Sequence, residues 1–195
     1  MPASFKTMAS PVGTLTLVAN ADALSAILWE GDDPARVPLG TLVEAPDHPL
    51  LGEVARQLDA YFAARLTAFD LPLDFRGTAF QKQVWEALLT IPFGETRSYG
   101  EIARQIGRPE ACRAVGAANG RNPISIVAPC HRVIGSSGAL TGFAGGLVAK
   151  AYLLTLERGD EPARGPRQAS LAFLALGRYS SIRALPLKRW GHLLS

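Results

Sequence analysis

Apolar and polar positions alternate at the start of the chain and recur at helical spacing further on. Met8 to Trp29 reads as two strands: SPVGTLTLVAN alternates around a Pro-Val-Gly turn, and Ala23 to Trp29 follows Asn20-Ala21-Asp22. GDDPARVPLG is a loop, punctuated by Gly31, Pro34, Pro38 and Gly40. His48 to Leu66 reads as an amphipathic helix, because Leu51, Val54, Leu58 and Phe62 recur at spacings of three and four. Phe69 to Phe75, FDLPLDF, alternates as a short strand. Together these elements make a small α+β unit that ends near Arg76.

The next segment is helical. Thr78 stands as an N-cap, and Phe80, Val84, Leu88 and Ile91 mark one face before Pro92 and Gly94 stop it. Ser98 and Glu101 have the spacing of a capping box, which opens a short helix that Ile106-Gly107 end. Pro109 and Glu110 start another, Glu110 to Ala118, closed by Asn119-Gly120. Helix, glycine turn, helix is the pattern of a helix-turn-helix, with Ala111, Ala114, Ala117 and Ala118 as small residues and Arg113 and Arg121 as basic ones. Alone, that pattern equally fits a plain helical domain. After Asn122-Pro123, Ile124 to Val127 reads as a short buried strand running into Pro-Cys-His-Arg-Val. Gly142 to Gly146 is a glycine-rich loop around Phe143, and Leu147 to Arg158 reads as the last helix, stopped by Gly159. No segment repeats.

Composition adds limits. At 195 residues, 48% of them hydrophobic, the chain is long enough for one domain or two small ones with a sizeable core. Two cysteines make no disulfide framework, no signal peptide opens the chain, and no apolar run is long enough to span a bilayer. A reducing cytoplasm is therefore expected, where a cysteine is more often chemical than structural. The net charge of +3 hides a division: residues 1–75 carry 4 basic and 10 acidic side chains, whereas residues 76–157 carry 9 basic and 5 acidic. The central segment is thus the one suited to a polyanion.

Cys130 and His131 stand side by side in a chain with two cysteines and three histidines. One reading is a buried cysteine beside an exposed histidine. A metal site is poorly supported, because Cys112, His48 and His192 supply no zinc-ligand spacing. The third reading is a thiolate nucleophile assisted by histidine, with Glu157 as the candidate to orient the imidazole. Adjacent residues on a strand point to opposite faces, so a Cys–His contact there needs a bend at Pro129-Cys130 or a bridging water.

PCHRV, the preceding CRAVGAANGRNP, the segment FQKQVWEALLTIPFGETRSYGEIA and the following SSGALTGFAGGLVAKAYLLTLE occur in one order, with RAVG seventeen residues upstream of the cysteine. In this the chain resembles the O6-alkylguanine-DNA alkyltransferases, also called methylated-DNA–protein-cysteine methyltransferases, from about Phe80 to Glu157. The resemblance implies an α/β (α+β) fold. A small N-terminal α/β domain with an antiparallel, ribonuclease H-like sheet (1–75) precedes a mostly helical, winged-helix-like DNA-binding domain with a helix-turn-helix (76–158). It implies stoichiometric, single-turnover transfer of an alkyl group from O6 of guanine, and also from O4 of thymine, onto Cys130. His131 would act through a water, Glu157 would orient it, Asn122 would link recognition helix and active-site segment, and Tyr99 would stabilise the leaving base. Arg113 would fill the gap left by a flipped base, with Ala114, Ala117, Ala118 and Arg121 against the minor groove. Val133, Phe143, Ala144 and Asn119 would line the base pocket, and Lys150 matches a lysine near the site. The partner implied is double-stranded DNA carrying O6-alkylguanine, met by a monomer with no metal, cofactor or membrane.

Two positions depart from many members of that family: Phe143 stands where they have tyrosine and Ala144 where they have serine, which leaves pocket polarity and adduct range open. Residues 159–195 fall outside the resemblance. GDEPARGPRQAS is linker-like, and the apolar, basic remainder reads as an extension without fixed structure in preference to an amphipathic helix. Two rival functions stand against repair. A non-catalytic lesion binder conflicts with the presence of Cys130, and a helix-turn-helix regulator predicts sequence-specific binding that is indifferent to it.

Overall fold

The computed structural model describes residues 2–33 and 35–160. Three strands form an antiparallel meander: β1 (Ala3–Ser10), β2 (Gly13–Asn20) and β3 (Ala23–Trp29). A short β4 (Leu42–Glu44) pairs parallel to β1, giving the order β3-β2-β1-β4. Two strands were expected before Trp29, and β1 is the additional one. Its residues are mostly half-buried and many are small or polar, so ASFKTMAS carries little alternation to read. In β2 the period of two is clean: Leu15, Leu17 and Ala19 face one core, while Val18 packs with Ala3 and Ala26 on the opposite face.

Helix α1 (Pro49–Phe62) lays Leu51, Val54, Leu58 and Tyr61 on the Leu15/Leu17 face. It stops short of the expected Leu66 because the chain turns left-handed at Ala64, φ 54°. FDLPLDF is not a strand. Only Leu73 bridges Leu24, with Leu24 N donating to Pro72 O and Asp74 N to Leu24 O. Its alternation is real all the same, since Phe69, Leu71, Leu73 and Phe75 all pack against the core.

The remainder is mostly helical. α2 (Ala79–Leu89) and α3 (Tyr99–Gln105) both begin at capping boxes, Thr78 with Gln81 and Ser98 with Glu101. A 3₁₀ turn at Pro109–Ala111 precedes α4 (Cys112–Gly120), so the single helix expected from Glu110 is split. β5 (Arg97–Ser98) and β6 (Val133–Ile134) pair in parallel, and α5 (Gly146–Glu157) closes the described fold. α5 lends Ala149, Leu153 and Leu156 to the same core as α1 and β2, so the front sheet and the last helix share one interior. Among the described residues no helix is long and apolar enough to cross a membrane. Expectations for the chain beyond Asp160 lie outside the described residues.

The expected strand Ile124–Val127 is instead a folded-back turn. Val127 N donates to Ser125 O at 3.0 Å and Ala128 N to Ile124 O at 2.9 Å, with Ile126 at φ 74°. Such a turn is rare, and a β-branched residue held at positive φ costs about 1–3 kcal/mol. All residues from Asn122 to Val133 are buried, which is why the apolar run mimics a strand.

Candidate active site

The turn after Ile124 leads directly to the cysteine. Pro129 adopts φ −79°, ψ 65°, and Cys130 N donates to Ala128 O at 2.8 Å. A 3₁₀ turn, Cys130–Arg132, follows, so consecutive side chains no longer alternate across a strand. The bend that a cysteine–histidine pair would need is therefore present. Cys130 is 3% exposed and His131 fully buried. Asn122 bridges this region to the end of α4: its Nδ2 donates to Ala128 O at 2.8 Å and its Oδ1 accepts from Ile124 N at 3.1 Å. Its own carbonyl accepts from Arg36 Nη1 at 2.5 Å, and Arg36 is held in turn by Asp32. Asn119 Nδ2 reaches Cys130 O at 3.4 Å. Burial pushes the Cys130 thiol up, opposed by the nearby polar side chains of Asn122 and Ser125 and by the positive charges of Arg36 and Lys150.

His131 and Glu157 meet in the interior, Nε2 to Oε1 at 2.7 Å. Burial alone would raise the Glu157 carboxyl, but hydrogen bonds from His131 and Arg132 outweigh it and hold the group at about 2. Arg132 grips both carboxylate oxygens, Nε to Oε2 at 2.8 Å and Nη2 to Oε1 at 2.9 Å, while its Nη1 donates to Ile91 O at 2.6 Å. Gly94 N adds a donor to Oε2 at 3.2 Å. Gly94 has φ 78°, a conformation that favours glycine, and a Cβ there would also stand a tight 3.0 Å from Glu157 O.

An ionised carboxylate only accepts. The His131 proton therefore resides on Nε2, and Nδ1 keeps its lone pair. Nδ1 is buried and has no hydrogen-bond partner in the protein. Burial pushes the imidazole pKa down, against the pull of Glu157, so the ring is neutral and can accept a proton.

Around this centre stand the remaining expected residues. Val133 is fully buried beside Cys130, and its carbonyl accepts from Lys150 Nζ at 2.6 Å. Lys150 is buried; it also reaches Thr141 O at 3.2 Å, and burial lowers its pKa. Tyr99 shares a 2.8 Å hydrogen bond with Thr141 Oγ1, tying the start of α3 to the glycine loop. Phe143 packs edge-on against Trp29 at 5.2 Å and lies 6.5 Å from the His131 ring. Ala144 is half-buried beside it.

On α4, Arg113, Ala114 and Ala117 are exposed on one face, and Arg121 is exposed just past its end. Ala118 is a correction. It was expected on the DNA side, but it is 3% exposed, sits in the α2–α3–α4 core and gives its carbonyl to Trp85 Nε1 at 2.8 Å. Helical geometry turns it away: Ala118 follows Val115 by three residues and shares its buried face. Four participants escaped sequence reasoning: Tyr61, Arg36, Ser125 and Arg132. Arg132 lay within the quoted PCHRV; the others are remote in sequence or hidden in an apolar run.

Residues 4–75 match the family model described as "6-O-methylguanine DNA methyltransferase, ribonuclease-like domain", and residues 79–159 the one described as "6-O-methylguanine DNA methyltransferase, DNA binding domain". The methylated-DNA–protein-cysteine methyltransferase of Mycobacterium bovis is 53% identical over 161 residues, covering 82% of this chain and 94% of that protein. That of Methanosarcina acetivorans is 51% identical over 149 residues, covering 76% and 94%. The crystal structure of Mycobacterium tuberculosis OGT in complex with DNA superposes with a TM-score of 0.75 at 51% identity, covering 83% of this chain and 96% of that one. A sheet-and-helix front, a helical rear and a buried thiol beside a histidine–carboxylate pair thus fall within one class on sequence and structure alike. The chain belongs to the 6-O-methylguanine DNA methyltransferase family.

Proposed function

We propose that this chain performs direct-reversal DNA repair as a methylated-DNA–protein-cysteine methyltransferase, taking an alkyl group from O6 of guanine onto Cys130. The observation that carries this is the buried His131–Glu157 pair with Nδ1 free to accept a proton, one residue from the only buried cysteine among the described residues. A free thiol has a pKa of about 8.5 and is mostly protonated at neutral pH, so it needs such a base. The thiol proton passes through a water to His131 Nδ1. The thiolate attacks the alkyl carbon, the carbon–sulfur bond forms as the carbon–O6 bond breaks, and the electron pair stays on the guanine. The ring then takes up a proton and normal guanine is restored. Tyr99 stabilises the developing charge, exchanging its Thr141 partner for the base. Asn122 links α4 to the cysteine segment.

The target atom lies inside the duplex, so the base must leave the stack. α3 and α4 act as a helix-turn-helix whose exposed Arg113 fills the gap, with Ala114 and Ala117 allowing close approach to the minor groove and Arg121 contacting the backbone. Val133, Phe143, Ala144 and Asn119 form the pocket. Phe143 and Ala144 give it a less polar lining than tyrosine and serine would, and O4-methylthymine is a second substrate. Residues 1–75 serve as scaffold and residues 76–158 as the DNA-binding and acceptor unit. One chain holds every group named, which supports a monomer, and a reactive thiol suits the reducing cytoplasm.

The thioether product is stable, so each chain acts once. With duplex DNA carrying O6-methylguanine in tenfold excess, repair is expected to plateau at one lesion per protein. Continued turnover would contradict the acceptor role of Cys130.

A further inference from the structure

The Glu157 carboxylate has a partner that comes from the front of the chain. Tyr61, in the last turn of α1, points its hydroxyl at Glu157 Oε1 from 2.7 Å, and both groups are buried. Oε1 is the same oxygen that His131 Nε2 bonds. No protein hydrogen-bond partner other than Glu157 is seen for this hydroxyl among the described residues, and the ring is locked by Phe62, Phe69 and Phe93 at centroid distances of 5.4, 5.4 and 6.1 Å. Since the carboxylate is ionised, Tyr61 is the donor. We infer that Tyr61 is a positioning residue of the alkyl-transfer site: its hydroxyl withdraws charge from the oxygen that faces His131 and so keeps the imidazole neutral and ready to accept a proton.

The groups that bear on this oxygen are few. Arg132 supplies the compensating charge, Gly94 N a further donor on Oε2, and Tyr152 lies close enough to Tyr61 to interact electrostatically. His131 itself is faced by Glu157, Arg132, Lys150 and the Phe143 ring. Without the hydroxyl, charge concentrates on Oε1 and attracts the proton of an imidazolium more strongly. The imidazole pKa then rises, and the base is protonated over a wider acidic range. Beyond its scaffold role, the front sheet-and-helix segment on this account positions the relay, because α1 places the Tyr61 hydroxyl on Glu157.

The inference rests on the alkyl-transfer reading above, and its test separates the two. The single-turnover rate on duplex O6-methylguanine is followed from pH 5 to pH 8 for wild type, Tyr61→Phe and Phe69→Leu. Wild type that transfers no methyl group overturns the functional reading itself. Given transfer, Tyr61→Phe is expected to lose roughly three- to tenfold in rate at pH 5 and to stay within about twofold at pH 8, its acidic limb moved to higher pH. Phe69→Leu disturbs the same packing but keeps the hydroxyl, and should leave the limb in place. A Tyr61→Phe profile parallel to wild type, or uniformly lowered at every pH, overturns the inference. In the unsubstituted protein the bond is also read directly by NMR, as a slowly exchanging hydroxyl proton assigned to Tyr61; a rapidly exchanging one contradicts it.

Discussion

His131 and Glu157 are joined Nε2 to Oε1 at 2.7 Å where neither side chain is open to water, 26 positions apart in sequence. The carboxylate also carries the charge of Arg132, so the two cannot be separated energetically. Glu157→Gln leaves the Arg132 guanidinium buried without its counter-ion. Loss of one partner from such a pair costs about 3–5 kcal/mol, which denaturant unfolding would read. The surviving folded protein should also transfer methyl groups about a hundredfold more slowly, because an amide no longer supplies the negative charge that stabilises the imidazolium formed when His131 accepts the thiol proton.

The same carboxylate dictates behaviour in acid. Its folded pKa of about 2 lies below the ordinary 4.5, so the native state binds fewer protons than the unfolded chain. The stabilisation is complete above pH 4.5 and disappears as pH falls towards 2, an amount of about 3 kcal/mol. His131, also lowered, adds loss in the same direction below 6.5. Stability measured by urea unfolding should therefore fall on acidification, and Glu157→Gln should flatten its course below pH 4.5.

Arg113 is exposed on α4 and makes no intramolecular hydrogen bond or ion pair among the described residues. Arg113→Ala should change stability by less than about 0.5 kcal/mol. Transfer from duplex DNA should drop at least tenfold if the side chain fills the stack (an effect on base extrusion), while transfer from the free base O6-methylguanine stays unchanged. Equal losses on both substrates would contradict a role in extrusion.

Gly145 shows how tightly the glycine loop is seated. A Cβ there would come within 2.6 Å of the Trp29 ring, which also packs Phe143. Gly145→Ala should destabilise by about 1–3 kcal/mol, read as a lowered Tm. By shifting Phe143 it should slow transfer as well.

Much of the site was legible from the chain alone, because its chemistry is local. Cys130 and His131 are adjacent, the Thr78 N-cap and the Ser98–Glu101 capping box sit at fixed spacing, and Glu157 closes a helix whose apolar positions are plain. What stayed hidden depends on packing between distant segments. Tyr61 reads as one more apolar position on α1, and nothing in the local pattern says that its hydroxyl faces Glu157. Ala118 looked like its neighbours Ala114 and Ala117, though the direction of the α4 face is set by Trp85 and the core. The Ile124 to Val127 run misled for a related reason. Burial makes a run apolar whether it is a strand or a strained turn, and the φ of Ile126 leaves no trace in composition.

Intact mass after incubation with duplex DNA bearing one O6-methylguanine tests the central claim most directly, with Cys130→Ala beside the wild type. The expected result is a gain of one methylene, about 14 Da, in wild type alone, mapped to the peptide that contains Cys130. An unchanged mass in folded, DNA-binding wild type, or the same gain in Cys130→Ala, would contradict Cys130 as the alkyl acceptor.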